Sequence, residues 1–173
     1  MRIAISGKMC SGKTTLAEEL LAKEPRFVKL SFAQPIYSLA REYFQMQEKD
    51  RDLLIHIGEA FRARDKNVWI KAFLRKVTEL EAEGRWVLVD DLRLPQEHKA
   101  LRENGFKLVR LNVSFMEQQK RLTNKYPDTC EEHFGKREHP TECGLDTERD
   151  WDVYATEDVA MDWVYKIVSA FKS

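Results

Sequence analysis

Apolar and polar residues fall along the chain in a repeating strand–helix rhythm. Ile3-Ala4-Ile5 is a short apolar run of the length of a buried parallel strand, and Thr15–Lys23 behind it reads as helix. Arg26–Phe32 has strand composition and ends at Ala33-Gln34-Pro35. Proline suits the first turn of a following helix, because its missing N–H would be unpaired there anyway. Ile36, Leu39, Ala40, Tyr43 and Phe44 then recur at i, i+3, i+4, i+7 and i+8, an amphipathic helix. Residues 45–52 are polar and read as a loop. Leu53, Leu54, Ile57 and Phe61 start another helix, and Trp69, Ile70, Phe73, Leu74, Val77 and Leu80 a longer one that Gly84 closes. Trp86–Val89 is an uninterrupted apolar run, as a strand covered on both faces requires. A helix from Gln96 to about Asn104 ends at Gly105. Phe106–Val113 is the next strand and 115–125 the next helix. Periodicity stops in residues 126–150, where Pro127, Gly135, Pro140 and Gly144 sit among charged residues. It resumes with a strand at Trp151–Ala155 and a terminal helix, Asp158 to Phe171, with Val159, Trp163, Ile167 and Phe171 at four-residue spacing.

This alternation predicts an α/β fold of three layers, α/β/α, with a mainly parallel five-stranded sheet between helices. We expect one domain over 1–173, with a core of 1–125 and 151–173 and a lid-like insertion at about 126–150. In such a sheet ligands bind at the carboxyl ends of the strands. That collects Gly7–Thr14, Ser31–Gln34, Asp90–Arg93 and the region after Val113 along one edge. Composition narrows the setting. The 173 residues carry 29 Lys+Arg and 29 Asp+Glu, so the formal net charge of zero favours neither a nucleic-acid nor a membrane partner. No apolar run approaches the ~18 residues of a membrane span, and no signal peptide precedes Ile3. Three cysteines, Cys10, Cys130 and Cys143, are too few for a disulfide framework and fit a reducing, cytoplasmic setting.

The chemistry begins where the first strand ends. Gly7-Lys8-Met9-Cys10-Ser11-Gly12-Lys13-Thr14 satisfies G-x-x-x-x-G-K-[S/T], with a strand before it and a helix after. Its glycines let the backbone turn sharply and aim successive N–H groups at a phosphate, aided by the positive end of the helix dipole. Gly7, Lys8, Cys10, Ser11, Gly12, Lys13, Thr14 and Thr15 are therefore expected to hold ATP. Lys13 would serve the β- and γ-phosphates and Thr14 would give its hydroxyl to Mg²⁺. Asp90 and Asp91 follow an apolar strand, as a metal-side carboxylate would. Periodicity over so short a run leaves open which of them is nearer the metal; we place Asp91 there with Thr14.

Phosphoryl transfer depends mostly on positioning and charge neutralisation, which directs attention to arginines. Arg93 lies two residues past Asp91 on the ligand edge, while Arg62 and Arg64 follow a helix that can sit over the site. Arg41, Arg110, Arg121 and Arg137 complete the candidates. The stretch 126–150 is longer than structureless loops usually are, as a closing lid would explain. Cys130-x-x-His133 and His139-x-x-x-Cys143 have tolerable zinc spacing, but neither is C-x-x-C, and the plainer reading is four unrelated polar positions.

Gly7–Thr14, Ser31-Phe-Ala-Gln-Pro-Ile36, Ile57-Gly-Glu-Ala-Phe-Arg62, Asp65 to Trp69, Asp91-Leu-Arg-Leu-Pro-Gln-Glu97 and Thr141-Glu-Cys-Gly-Leu-Asp146 occur in one order over nearly the whole chain. This ordered set resembles the deoxynucleoside monophosphate kinases of bacteriophages and large viruses, of nucleoside-monophosphate-kinase-like fold. It also resembles animal-type phosphomevalonate kinase, most closely in Glu142–Asp146. The resemblance implies ATP-dependent phosphorylation of a phosphate-bearing acceptor. By matching positions, Arg62 and Arg93 would grip the acceptor phosphate, and Arg110 and Arg121 correspond to lid-side arginines. Lys13, Arg62, Arg93, Arg121 and Asp91 would be catalytic. Ser31, Phe32, Arg62, Arg64, Trp69, Asp90, Arg93, Arg110 and Glu142 would meet the acceptor. Tyr37 stands where the family often has Lys. Gln118 stands where the phosphomevalonate enzyme has a lid arginine, which tilts the reading towards the nucleotide kinases. The partners expected are then a dNMP and ATP, the chain acting as a monomer or homodimer in the cytoplasm, the host's if the source is viral. Against this stands a regulatory P-loop NTPase. A GTPase would need Asn-Lys-x-Asp after a strand; Asn124-Lys125-Tyr126-Pro127 misses the Asp and follows a helix. A non-enzymatic nucleotide-binding module leaves the acidic pair and the arginines without a role.

Overall fold

Successive residues of a strand face opposite sides of a sheet, and in this chain both sides are apolar. Ile3, Ile5, Leu88, Val109 and Leu111 pack on one side with Leu16, Leu20, Ala160, Val164 and Val168. Ala4, Val87, Val89 and Leu108 pack on the other with Phe73, Val77, Leu80 and Leu101. The computed structural model describes residues 1–131 and 143–170 and gives these faces their elements. In chain order they are β1 (Arg2–Gly7), α1 (Lys13–Lys23), β2 (Phe27–Leu30), α2 (Gln34–Phe44), α3 (Arg51–Arg64), α4 (Val68–Ala82), β3 (Trp86–Leu92), α5 (Pro95–Glu103), β4 (Lys107–Leu111), α6 (Phe115–Lys125), β5 (Val153–Ala155) and α7 (Glu157–Ala170). The strands form a five-stranded sheet in the order β2-β3-β1-β4-β5, with every pairing parallel. Helices α1 and α7 cover one face, and α4 and α5 the other. This is the expected three-layer α/β/α fold.

The order reverses at β1, so the glycine-rich loop sits at the topological switch point where such sheets bind ligands. A smaller core of Ile36, Ala40, Met46, Ile57 and Trp69 ties α2, α3 and α4 together beyond the β2–β3 edge. Among the described residues no helix is long and apolar enough to cross a membrane.

Some boundaries and faces differ from expectation. Helix α3 begins at Arg51 because the Asp50 side chain caps it, accepting the Leu53 N–H at 3.0 Å; the end of the expected loop is thus a helix start. The outer strands are shorter than their composition suggests. β2 stops at Leu30 because the Ser31 hydroxyl accepts the Ala33 N–H and turns the chain. Helix α7 buries Ala160 and Val164, while Val159 is exposed; the small Ala160 lets the helix approach the sheet one residue out of the expected phase. Tyr43 and Phe44, counted in the apolar stripe of α2, are exposed at its end. In the stretch expected to be an irregular lid, Leu145 is only 2% exposed and belongs to the core, so the return limb is anchored. Gly135, Arg137, His133, His139, Pro140, Thr141, Glu142 and Phe171 lie outside the described residues.

Candidate active site

β1 delivers the glycine-rich loop directly onto α1. Gly7 has φ 151°, and a Cβ there would stand 2.4 Å from Ser11 Oγ and 2.8 Å from the Leu111 carbonyl oxygen, so only hydrogen fits. Cys10 and Gly12 take left-handed backbone conformations, φ 59° and 96°. Gly12 is the N-cap of α1 and no side chain caps the helix, which leaves its first-turn N–H groups available to an anion. Ser11 Oγ is buried with no hydrogen-bond partner among the described residues. Lys13 Nζ donates to the carbonyl oxygens of Gly7 and Lys8, each at 2.7 Å, and so spans the loop. A cleft of about 210 Å³ over the loop is lined by Cys10, Ser11, Gly12, Lys13, Thr14 and Thr15 and, from α6, by Arg121 and Lys125. Arg121 is steadied by Glu117 one turn earlier (2.8 Å), and its guanidinium reaches the Cys10 carbonyl at 3.5 Å. Gln118 is buried and donates to the Met9 carbonyl at 2.9 Å, so it fastens α6 to the loop.

A second cleft, about 160 Å³, opens on the β2–β3 side of the switch point. Arg62 of α3, Lys66 of the following turn, and Asp91, Arg93 and Glu97 of the β3–α5 junction line it, with Phe32, Ile36, Trp69 and Ile70. The Trp69 indole N–H donates to the Gly58 carbonyl at 3.2 Å, and the Phe61 ring lies tilted against it at 35°, 5.2 Å between centroids. Gly58 also makes room for Arg62. A Cβ at position 58 would stand 3.1 Å from Arg62 Nη1. Alanine adds helix propensity worth about 1 kcal/mol while displacing that guanidinium. Gly58→Ala should therefore keep or raise the Tm and yet weaken by about threefold the binding of a phosphate monoester in this cleft. Thermal melts and ligand titrations on one preparation check this; a lowered Tm, or an affinity equal to wild type, would contradict it.

The two aspartates are separated by an irregularity in the sheet. Between Ala4↔Val89 and Ser6↔Leu92, β1 advances two residues while β3 advances three. Such a bulge re-aims side chains. Asp90 pairs with Lys29 at 2.6 Å, whereas Asp91 lines the second cleft and accepts the Ser31 hydroxyl at 2.5 Å. Asp91 Oδ1 is buried without a hydrogen-bond partner among the described residues. Burial raises the Asp91 carboxyl above its ordinary range, against the Ser31 hydrogen bond. Burial likewise pushes Glu97 up to about 7, although it accepts the backbone N–H groups of Arg93 and Leu94.

Of the residues expected at the acceptor, Phe32, Arg62, Trp69 and Arg93 meet in this cleft, while the Ser31 hydroxyl is directed to Asp91. Arg64 is exposed and lines neither cleft, because residues two apart on a helix face different ways. Asp90 is engaged by Lys29 and lines neither. Arg110 is buried in the sheet face, donating to Ser6 Oγ at 2.9 Å and Asp146 Oδ1 at 2.7 Å; a strand residue cannot swing as a lid residue does. Lys8, expected at ATP, pairs with Asp146 Oδ2 at 2.8 Å and lines a different cavity beside β4. Glu142 lies outside the described residues, as do His133 and His139 of the zinc spacing. Cys130 Sγ contacts Thr123 Oγ1 at 3.3 Å, and Cys143 lines the cavity that holds Lys8. Sequence reasoning overlooked Lys66, Glu97, Lys125 and Asp146. Lys125, four residues after Arg121 on one helix face, was the most legible of them.

A family model described as an AAA domain matches residues 3–138. No curated protein matches the chain. Among solved structures, TT1252 from Thermus thermophilus is similar at 17% identity and TM-score 0.61, with 100% of this chain and 98% of that one covered. An uncharacterized protein from Eubacterium ventriosum ATCC 27560 is 14% identical with TM-score 0.52, covering 98% of each chain. APE1195 is 16% identical with TM-score 0.51, covering 98% and 95%. At these identities the likeness is one of fold.

Proposed function

Because the chain belongs to the AAA domain family, a P-loop, kinase-like class of nucleotide-binding phosphotransferases and NTPases, we propose that it transfers phosphate from ATP to a deoxynucleoside 5′-monophosphate. The observation that carries the reading is the second cleft. A regulatory NTPase needs no second phosphate-binding cleft, whereas this chain places Arg62, Lys66 and Arg93 in a separate cleft on the same sheet edge. Guanidinium groups suit a phosphate monoester by forked hydrogen bonding. The wall of Phe32, Trp69 and Ile70 suits a flat base better than the small polar body of phosphomevalonate.

ATP would lie along the loop, with Lys13, Arg121 and Lys125 around its phosphates. Thr14 offers a hydroxyl, and Asp91 Oδ1 is a buried oxygen with no hydrogen-bond partner among the described residues; both are oxygen donors of the kind Mg²⁺ takes. When bound it neutralises charge on the phosphates. The chain's own part is to bring two anionic groups together. Arg62 and Arg93 hold the acceptor phosphate while Lys13 and Arg121 take up charge developing on the transferred group. Steady-state kinetics with a dNMP, its nucleoside and phosphomevalonate, side by side, test the assignment. The dNMP should be the substrate and the nucleoside a poor one, since it leaves the arginines without their anion. Activity confined to phosphomevalonate would move the acceptor to that compound, and equal rates with nucleoside and monophosphate would remove the phosphate grip.

A further inference from the structure

We infer that Glu97 is the positioning residue that sets Arg93 in the acceptor cleft, an inference that rests on the acceptor reading above. Arg93 lies in the link between the end of β3 at Leu92 and the start of α5 at Pro95. The carbonyl oxygens at its ends are taken by the Ser6 hydroxyl (Leu92, 2.8 Å) and the His98 N–H (Leu94, 3.0 Å), and the N–H side of the α5 start lacks a cap of its own. Its N-cap is Leu94, whose aliphatic side chain has no acceptor atom, and Pro95 at the first helical position has no N–H. Glu97 supplies what the cap lacks. One oxygen, Oε2, accepts the backbone N–H of Arg93 at 3.1 Å and that of Leu94 at 3.0 Å. Both N–H groups of the backbone from which the Arg93 side chain departs are thereby tied to one side chain a helical turn ahead. An arginine side chain is long, so a small rotation of its backbone displaces the guanidinium far more.

Charge sharpens the point. A carboxylate lining a cleft built for phosphate repels the ligand, and Glu97 lines the cleft beside Arg62. What the residue contributes is thus its reach and its acceptor oxygen rather than its charge. Glutamine keeps the reach and the acceptor and drops the charge. Aspartate keeps the charge and is one methylene too short to meet both N–H groups.

The test compares Glu97→Gln, Glu97→Asp and Glu97→Ala in the full chain, using dTMP, dGMP, dCMP and dAMP as acceptors. Hydrogen exchange of the Arg93 and Leu94 amides is measured in parallel without substrate. In Glu97→Gln the acceptor KM should stay within about threefold of wild type and both amides should remain protected. In the Asp and Ala variants the acceptor KM should rise about three- to tenfold, with the KM for ATP and kcat at saturating acceptor changed less than twofold and both amides exchanging faster. A purely structural role would lower the Tm without splitting the two KM values. The inference is overturned if Asp behaves as wild type while Gln does not, or if all variants keep the wild-type KM and amide protection. Should the Ala variant fail to fold, the order of Gln and Asp decides alone. Absence of wild-type transfer to any of the four dNMPs counts against the acceptor reading; the exchange rates then decide whether Glu97 holds the turn.

Discussion

Replacing Lys13 with alanine lowers turnover by roughly 10²–10³, the loss that follows removal of a preorganised charge stabiliser. The geometry explains why the effect falls on catalysis rather than folding. Lys13 Nζ bonds to the carbonyl oxygens of Gly7 and Lys8, so the ammonium is held over the loop where the terminal phosphates of ATP would lie. Those carbonyls belong to half-buried residues within reach of water, and water can take the place of the ammonium. The buried packing of α1 is carried by Leu16, Ala17 and Leu20, which the substitution leaves intact. A melting temperature near wild type, beside the fall in kcat, is the outcome to look for. Near-wild-type turnover would remove Lys13 from the phosphate site.

Arg93→Lys raises the acceptor KM at least tenfold, about 1.4 kcal/mol, with much less change in the KM for ATP. Bringing a transferring phosphoryl group and an acceptor phosphate together without cations costs several kcal/mol at the reduced dielectric of a closed site. Lysine keeps the charge but loses the planar fork that binds two phosphate oxygens at once. The selectivity for acceptor over ATP follows from placement. Arg93 lines the cleft on the β2–β3 side, while the glycine-rich loop, Arg121 and Lys125 form the other. Initial rates with each substrate varied in turn decide it; equal rises in both KM values would mean that the clefts are not separate sites.

The sequence showed the loop and the central strands plainly, because both are local. Gly7–Thr14 is contiguous, and the apolar runs of β1, β3 and β4 needed only period and length. The choice between Asp90 and Asp91 was not legible, since the bulge that turns Asp91 into the cleft and leaves Asp90 with Lys29 depends on how β3 pairs with β1. Arg110 shows the same limit. Its burial follows from Asp146, thirty-six residues later, and from Ser6 on the neighbouring strand. The return limb after residue 143 offers no periodicity, yet it is fixed by contacts with α5. His98 Nε2 lies 3.0 Å from the Asp150 carbonyl, Arg102 bonds Asp150 and Asp152, and Trp151 meets His98 edge-on at 4.6 Å. These pairings join residues about fifty apart, which neither helical nor strand spacing can reveal. Glu97 was visible within the Asp91–Glu97 run, but its role depends on a reach back to Arg93 and Leu94 that composition does not encode.

Whether ATP turnover requires an acceptor phosphate is decided by following ADP release with and without each of the four dNMPs. Release should be slow with ATP and Mg²⁺ alone and should rise at least a hundredfold with one or more dNMPs, the matching dNDP appearing in equal amount. ATP turnover that is equally fast without any monophosphate, and that yields inorganic phosphate in place of a dNDP, would contradict the account.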